Sequence, residues 1–353
     1  MATRELAQMG IAVPQALLPA QGVDAARWAV VACDQYTAEP AYWQAVARLV
    51  GDAPSTYHIT LPEVYINEGT DRVPAIHETM ARYRAQGVLT PTPRGFVLVA
   101  RQVRGGERLG LMLAVDLEQY DFAPGAKSLI RPTEGTVAAR IPPRMAIRRG
   151  ASLECPHVML LADDPGDTLI APLYAERAAL PPLYDVDLMA GGGRVRGWAV
   201  ADDARIGRVQ AALSGLYDAC GGLLLAVGDG NHSLATARQC WLDLREGLSA
   251  EQRRHHPARF ALAEVVNLHD PALRFEGIHR ALFGVEPDDA LDAWARWARA
   301  LGLGPASRAA RPGEQGMTCL ARGMRIPLAL STPRQPLLLA PLQAFFDAYL
   351  AAH

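Results

Sequence analysis

Within LLLAVGDGNHSLATA, residues 223–237, five apolar residues run into Gly228-Asp229-Gly230-Asn231-His232-Ser233, and apolar residues at helical spacing follow at Leu234, Ala237, Trp241 and Leu244. The expected unit is strand, tight turn, helix, with Asn231 or Ser233 available as the helix N-cap. A turn of this kind points unpaired backbone N–H groups and the positive end of the helix outward, which favours a phosphate or a carboxylate. Gly228 and Gly230 allow a sharp turn and close approach of a ligand, and Asp229 between them could orient a metal ion or a hydroxyl. His232 adds a donor for a phosphate oxygen and titrates near neutral pH. The alternative is structural: Asn231 and Ser233 cap the helix while Asp229 and His232 are solvated or satisfied by backbone.

A second stretch rich in chemistry is SLIRPTEGTVAARIPPRMAIRRGASLECPH, which reads as no regular element. Its arginines are Arg131, Arg140, Arg144, Arg148 and Arg149. The four-residue spacing of Arg140, Arg144 and Arg148 would be one helical face, but Pro142-Pro143 interrupts it, so a loop that carries function is expected. Arg131, Thr133, Arg140, Arg144 and Arg148 are candidates to meet phosphate. Glu134, just before Gly135, is the candidate general base, with an exposed loop acid as its alternative. His157 begins a strand and reads either as a core histidine with a backbone partner or as a site residue. Asp34 and Tyr36 follow an early apolar run and could reach a substrate, as could His279 and Arg280, although Arg280 could equally pair with Glu276.

Several familiar chemistries are excluded. GAKS at residues 125–128 imitates the end of a P-loop, but Asp121 stands at the first glycine of that motif and Ala126 at the glycine before the lysine. Gly228-x-Gly230-x-x-Ser233 lacks the third glycine of a dinucleotide fingerprint, and no acid follows at the end of a second strand. The nine histidines are scattered, and His255-His256 has no spaced partner, which argues against structural zinc. The five cysteines, Cys33, Cys155, Cys220, Cys240 and Cys319, form no CxxC pair and read as free thiols. Cys33 is taken as a small buried hydrophobe without a role.

The elements that must position these residues mix throughout the chain. WAVVACD (28–34) reads as a buried strand, PAYWQAVARLVG (40–51) and VPAIHETMARYRAQG (73–87) as helices, and GFVLVARQV with RLGLMLAVDLEQY as a hairpin through RGGE. HVMLLADDP is a strand ending in acids, and DVDLMAGGGRVRGWAV is a hairpin turning at Gly191-Gly192-Gly193. RIGRVQAALSGLYDACGG is a helix and ARFALAEVVNL a strand. LRFEGIHRALF leads into a short helix, and DDALDAWARWARALG is amphipathic. The tail offers TCLARG, IPLAL, LLLA and a final helix-like PLQAFFDAYLAAH. The fold class is α/β in the mixed α+β sense. The best linker follows Gly304, giving a main domain over 1–305 that holds the GDGNHS site and a smaller C-terminal portion over 306–353.

Thirty-five Lys and Arg against thirty-seven Asp and Glu leave a formal net charge of −2, without long blocks of either sign. A general nucleic-acid binder is thereby disfavoured, while a local basic pocket remains compatible. The N-terminal residues lack a secretory apolar core, and no 18-residue apolar stretch suits a membrane span, so a cytoplasmic protein is expected.

WAVVACDQYTAEPAYW, IRPTEGTVAARIPPRMAIRRGASLECPHVMLLADDP, GDGNHSLATA and LRFEGIHRAL, in this order along the chain, resemble the bacterial and archaeal family called domain of unknown function 1015, from near the start of the chain to about Tyr349. Members more often carry DGHHR, a signature shared with the ParB-like and sulfiredoxin-like fold and with free-serine kinases built on it. The resemblance implies a ParB-like nucleotide-binding core with additional strands and helices, and a nucleotide-dependent small-molecule kinase with free L-serine as leading acceptor. Asp229 and His232 match the signature, Asn231 stands for a histidine, and Ser233 stands for an arginine that would contact phosphate. Family members usually run several tens of residues further, so the C-terminal portion is expected to be short relative to the family. The implied cofactor is Mg²⁺ with ATP or ADP, held through Asp229. The implied partners are a nucleotide and a small hydroxy amino acid, with no nucleic acid, no membrane and a homodimer as the assembly considered. The competing readings are a non-catalytic nucleotide-binding regulator and a nucleotide or phosphoester hydrolase.

Overall fold

The computed structural model describes residues 3–66, 72–155, 157–274 and 279–352. In chain order the N-terminal part holds β1 (Ile11–Ala12), β2 (Leu17–Pro19), α1 (Ala25–Trp28), α2 (Pro40–Val50), α3 (Val73–Ala85), β3 (Leu89–Pro91), β4 (Phe96–Val103), β5 (Gly106–Asp116) and β6 (Ile130–Pro132). Next come α4 (Ile141–Arg148), β7 (Met159–Ala162), α5 (Ala171–Ala175), β8 (Pro182–Asp187), β9 (Arg194–Val200), α6 (Asp203–Ala219), β10 (Leu225–Asp229), α7 (Asn231–Arg245), α8 (Ala250–His255) and β11 (Phe260–Asn267). The chain closes with α9 (Pro287–Ala300), β12 (Pro305–Ala306), β13 (Gln315–Ala321), β14 (Met324–Leu330) and α10 (Leu339–Ala352). This is a mixed α/β protein. Among the described residues, no helix is long and apolar enough to cross a membrane.

The chain divides into two compact units, Met1–Arg274 and Phe275–His353. The division precedes α9 rather than following residue 305. The reason is packing: Trp294 and Ala298 of α9 share one apolar core with Leu328 and Leu330 of β14 and with Phe345 and Tyr349 of α10. An amphipathic helix belongs to whichever unit buries its stripe.

A mixed nine-stranded sheet organises the larger unit, in the order β6-β10-β7-β11-β5-β4-β9-β8 with β1 on β5. Its centre is the hairpin β4–β5, joined by the two-residue turn Arg104-Gly105, as the alternation in the sequence predicts. β10 pairs parallel to β6 and antiparallel to β7, so the strand carrying Asp229 is held on both edges. Leu111, Leu113, Val115, Leu160, Leu225, Val227, Leu234 and Trp241 are fully shielded in the core beside it. A second apolar cluster gathers Trp43, Val46, Ile76, Met80 and Tyr83 of α2 and α3.

Three sequence expectations are corrected here. WAVVACD is not a strand: α1 ends at Trp28, and residues 29–32 run without regular structure, with Val30 and Val31 against the α2–α3 cluster. No ladder holds it: Ser55 and Thr56 hydroxyls donate to the Trp28 carbonyl at 3.4 and 2.9 Å, and the Gln35 and Glu63 N–H groups donate to the Ala32 and Cys33 carbonyls at 3.0 and 2.8 Å. The arginine-rich passage also contains regular elements, β6 and α4. Pro142 and Pro143 lie in the first turn of α4. There the backbone N–H groups have no partner within the helix, so proline starts the helix rather than breaking it. In the C-terminal unit, the short helix expected from LRFEGIHRALF is absent from residues 279–286, while 275–278 lie outside the described residues.

Candidate functional site

The site is built at the tip of β10. The register of β10 against β7 shifts between Val227 and Asp229, so Gly228 forms a bulge. A Cβ on Gly228 would lie 2.9 Å from Leu161 Cγ, which gives this glycine a packing role. Gly230 follows with φ +81° and ψ +24°, and a Cβ there would meet Val158 Cα at 3.0 Å. Glycine at 230 thus lets the chain turn from strand to helix without a clash. Gly230 is itself the N-cap of α7, and no side chain caps the helix. Asn231 and Ser233, expected as caps, are the first and third helical residues. The start of α7 is therefore an uncapped, positively polarised end beside Asp229.

Helix α4 packs on α7. Near their starts the Val137 N–H donates to His232 Nε2 at 3.2 Å, and near their ends Arg149 pairs with Asp243, so the two helices run in the same direction. Arg140, at the N-cap of α4, and Arg144, one turn on, thereby face His232. The His232 pKa is lowered, first by burial and then by the charges of Arg144 and Arg140. Arg144 is fixed by an ion pair with Glu63 and donates to the Arg140 carbonyl at 2.8 Å. The Arg144 and Glu63 side chains are only 15% and 24% exposed, which makes the pair a rigid support.

Carboxylates gather around Asp229. Asp229 Oδ1 accepts the Gly230 N–H at 2.8 Å, and Asn231 Nδ2 donates to Glu134 Oε1 at 3.4 Å. Asp229 is exposed at one edge, yet its carboxyl pKa is raised, first by the protein crowding it and next by the charge of Asp34, with Glu134 adding to the effect. Asn231 is 5% exposed, and its Oδ1 is buried without a hydrogen-bond partner. His157 approaches from the start of β7, with Nε2 3.7 Å from Asp34 Oδ2 and Nδ1 3.9 Å from Cys33 Sγ. Burial alone would lower its pKa. The Cys33 sulfur and the charges of Asp34 and Asp229 outweigh that and raise it to about 9. Tyr36, just beyond, has a left-handed φ of +53° and stacks on Tyr42 at 3.7 Å. A bulky residue in that region is strained, and such strain concentrates where a loop must be held in one shape.

The tertiary structure thus gathers Asp34, Glu134, Arg140, Arg144, His157, Asp229, Asn231 and His232. The other residues singled out in the sequence are engaged elsewhere. Thr133 N and Oγ1 both donate to the Val227 carbonyl, at 3.3 and 2.7 Å, locking β6 to β10. Arg131 donates to the carbonyls of Ala126 and Gly222, at the end of β10 away from Asp229. Arg148 makes a two-point bond to Glu154, each distance 2.8 Å. Ser233 is half-buried in the first turn of α7. His279 and Arg280 belong to the C-terminal unit, where Arg280 Nε donates to Gln343 Oε1 at 2.9 Å; Glu276, its expected partner, lies outside the described residues. Glu63 and Cys33 were missed or set aside. Neither stands in a motif, and only the tertiary contacts mark them.

Among the described residues, no group of three or more His, Cys, Asp or Glu side chains could hold a metal ion. Cavities of about 540 and 460 Å³ open elsewhere in the larger unit, the first beside Arg104, Glu107 and Arg196, the second between Asp164 and the small residues Ala211 and Gly215 of α6. Neither is lined by a residue of the Asp229 cluster. What the cluster offers is an uncapped helix start with Arg140 and Arg144 acting on His232 and carboxylates crowding Asp229. Such an arrangement can hold an anion and take up a proton beside it.

No curated protein and no solved structure matches the chain. Residues 17–347 match a family model, and the chain therefore belongs to the family described as Protein of unknown function (DUF1015).

Proposed function

We propose that the Asp229 cluster is the site of a nucleotide-dependent small-molecule kinase, which transfers a phosphoryl group to the hydroxyl of a free amino acid, with L-serine the leading acceptor. The observation that carries this reading is the pair Arg140 and Arg144 on α4, brought to His232 at the uncapped start of α7. Phosphoryl transfer depends on positive charge around the transferred group and on a base at the acceptor hydroxyl. Ser233 stands where the DGHHR signature has its arginine, and α4 supplies the missing cations from a different part of the chain. The nucleotide site is proposed to be ParB-like in character. Five free cysteines suit a reducing, cytoplasmic compartment.

In this mechanism Arg140, Arg144 and the first N–H groups of α7 bind phosphate oxygens. The serine hydroxyl oxygen attacks phosphorus, the bridging P–O bond breaks, and the shortened nucleotide leaves with that electron pair. Glu134, steadied by Asn231, takes the hydroxyl proton. Asp229 would meet a divalent cation carried in on the nucleotide, because burial, and then the charges of Asp34 and Glu134, already disfavour its bare negative charge. With a single such carboxylate, Mg²⁺ would arrive on the nucleotide phosphates, where it neutralises charge on the oxygens.

Purified protein incubated with L-serine and Mg-ATP or Mg-ADP should form O-phosphoserine. No product with either nucleotide across several hydroxy acids would overturn the reading. The presence of Ser233 instead of arginine favours one rival, a nucleotide-binding regulator without turnover. Asp229→Ala separates the two, because a kinase loses turnover while keeping part of its nucleotide affinity. Phosphate release without any acceptor would instead identify a hydrolase.

A further inference from the structure

Cys33 lies where the irregular segment after α1 turns, its carbonyl accepting the Glu63 N–H at 2.8 Å. Its sulfur is 3.9 Å from Nδ1 of His157, and the other ring nitrogen faces Asp34 at 3.7 Å. The His157 and Asp34 side chains are 15% and 17% exposed, so the group is sheltered, while Cys33 itself is partly open. A thiol, an imidazole and a carboxylate in this order form the arrangement by which a cysteine is made nucleophilic: the ring takes the sulfur proton and the carboxylate orients the ring. The titratable groups facing the pair are Asp34 from its own segment and Asp229 from the tip of β10, and the charges of both favour the ring once it has taken up the sulfur proton.

We propose that Cys33 is a nucleophilic thiol and a modification site, forming mixed disulfides with small-molecule disulfides. His157 accepts the proton from Sγ. The Cys33 thiolate then attacks one sulfur of the incoming disulfide, a new S–S bond forms, the old one breaks, and the second half leaves as a thiolate. Cys33 is oxidised and the leaving sulfur is reduced, with no other reactant needed.

The other thiols lack this setting. Burial, then the charge of Glu154, pushes Cys155 up to about 12, and burial also raises Cys240. Cys220 donates its S–H to the Tyr217 carbonyl at 3.1 Å, and Cys319 lies in β13 of the C-terminal unit. A group added to Cys33 would stand beside Asp34 and His157, obstructing the phosphate site; that consequence alone rests on the function proposed above.

The test is reaction of the whole native protein with dipyridyl disulfide over a series from acidic to neutral pH, with the modified peptide identified by mass spectrometry. The first equivalent should map to Cys33, which should react faster than the other four thiols. His157→Gln should slow Cys33 roughly ten-fold and leave the other four unchanged, because only the thiolate attacks. Cys33 reacting no faster than the others in wild-type protein overturns the proposal without recourse to any variant. The mapping does not depend on phosphoryl transfer, so absence of kinase activity leaves the labelling result intact.

Discussion

The backbone N–H of Val137 donates to Nε2 of His232 at 3.2 Å, which fixes the state of that ring. An Nε2 that accepts a hydrogen bond carries no proton, so His232 is neutral here and presents Nδ1–H as its donor. Burial and the two arginines of α4 hold it in that state.

Arg144→Gln and Arg140→Gln should therefore each raise the His232 titration midpoint in an NMR pH series. The folded-state pKa lies below the ordinary 6.5, so the unfolded chain binds the proton more readily. Stability from this residue is present above that value and is lost as pH falls towards the folded pKa. An unchanged midpoint in both variants would show that the arginines do not act on the ring.

His157 behaves in the opposite sense. Its pKa rises from the ordinary 6.5 to about 9, so the folded chain holds the proton more tightly. Its contribution, at most about 3 kcal/mol at 1.36 kcal/mol per unit, is complete below pH 6.5 and disappears as pH climbs towards 9. Urea unfolding across that window should show the decline in wild-type protein and its absence in His157→Gln.

Gly230→Ala should destabilise the protein by about 1–3 kcal/mol, because a left-handed backbone and a contact with Val158 oppose a side chain there. The strand-to-helix turn is also the seat of Asp229 and His232, so under the proposed function nucleotide affinity measured by calorimetry should fall with stability. Gly135→Ala, at an open position without positive φ, serves as the comparison and should cost little.

Arg148→Gln should cost about 1–3 kcal/mol in denaturation, since it leaves Glu154 without its two-point partner. Nucleotide affinity should stay at the wild-type value. A large loss of affinity with intact stability would place Arg148 in the phosphate site instead.

Glu134→Gln should lower turnover about 10²–10⁴-fold if Glu134 is the base, with KM for the acceptor little changed. If the site is the proposed kinase, Asp229→Asn should abolish turnover yet raise the melting temperature at neutral pH. The carboxylate of Asp229 has a raised pKa, so its charged form is disfavoured in the folded chain and removing the charge relieves that. A melting temperature that falls would mean Asp229 is held by compensating contacts.

The sequence by itself determined the parts that local chemistry controls. The apolar run before Gly228, the glycines and the helical spacing from Leu234 specify β10, a tight turn and α7. The same local rules gave the β4–β5 hairpin and α2, since alternation, a proline at the helix start and a glycine at its end act within a few residues. Asp229 and His232 were legible because they stand in that turn. The tertiary structure decided which charges meet. Arg144 and Glu63 are 81 positions apart, Asn231 and Glu134 97, and Cys33 and His157 124. No pattern in the chain distinguishes Arg144, which faces the site, from Arg131, which binds two carbonyls, or Arg148, which is taken by Glu154. Pro142-Pro143 fits the first turn of α4 locally, whereas the packing of α4 on α7, which brings Arg140 and Arg144 to His232, is a tertiary fact. Spacing and propensity set the elements, whereas the partners of a buried or crowded charge depend on how distant elements pack, and that is known only once the sheet has brought them together.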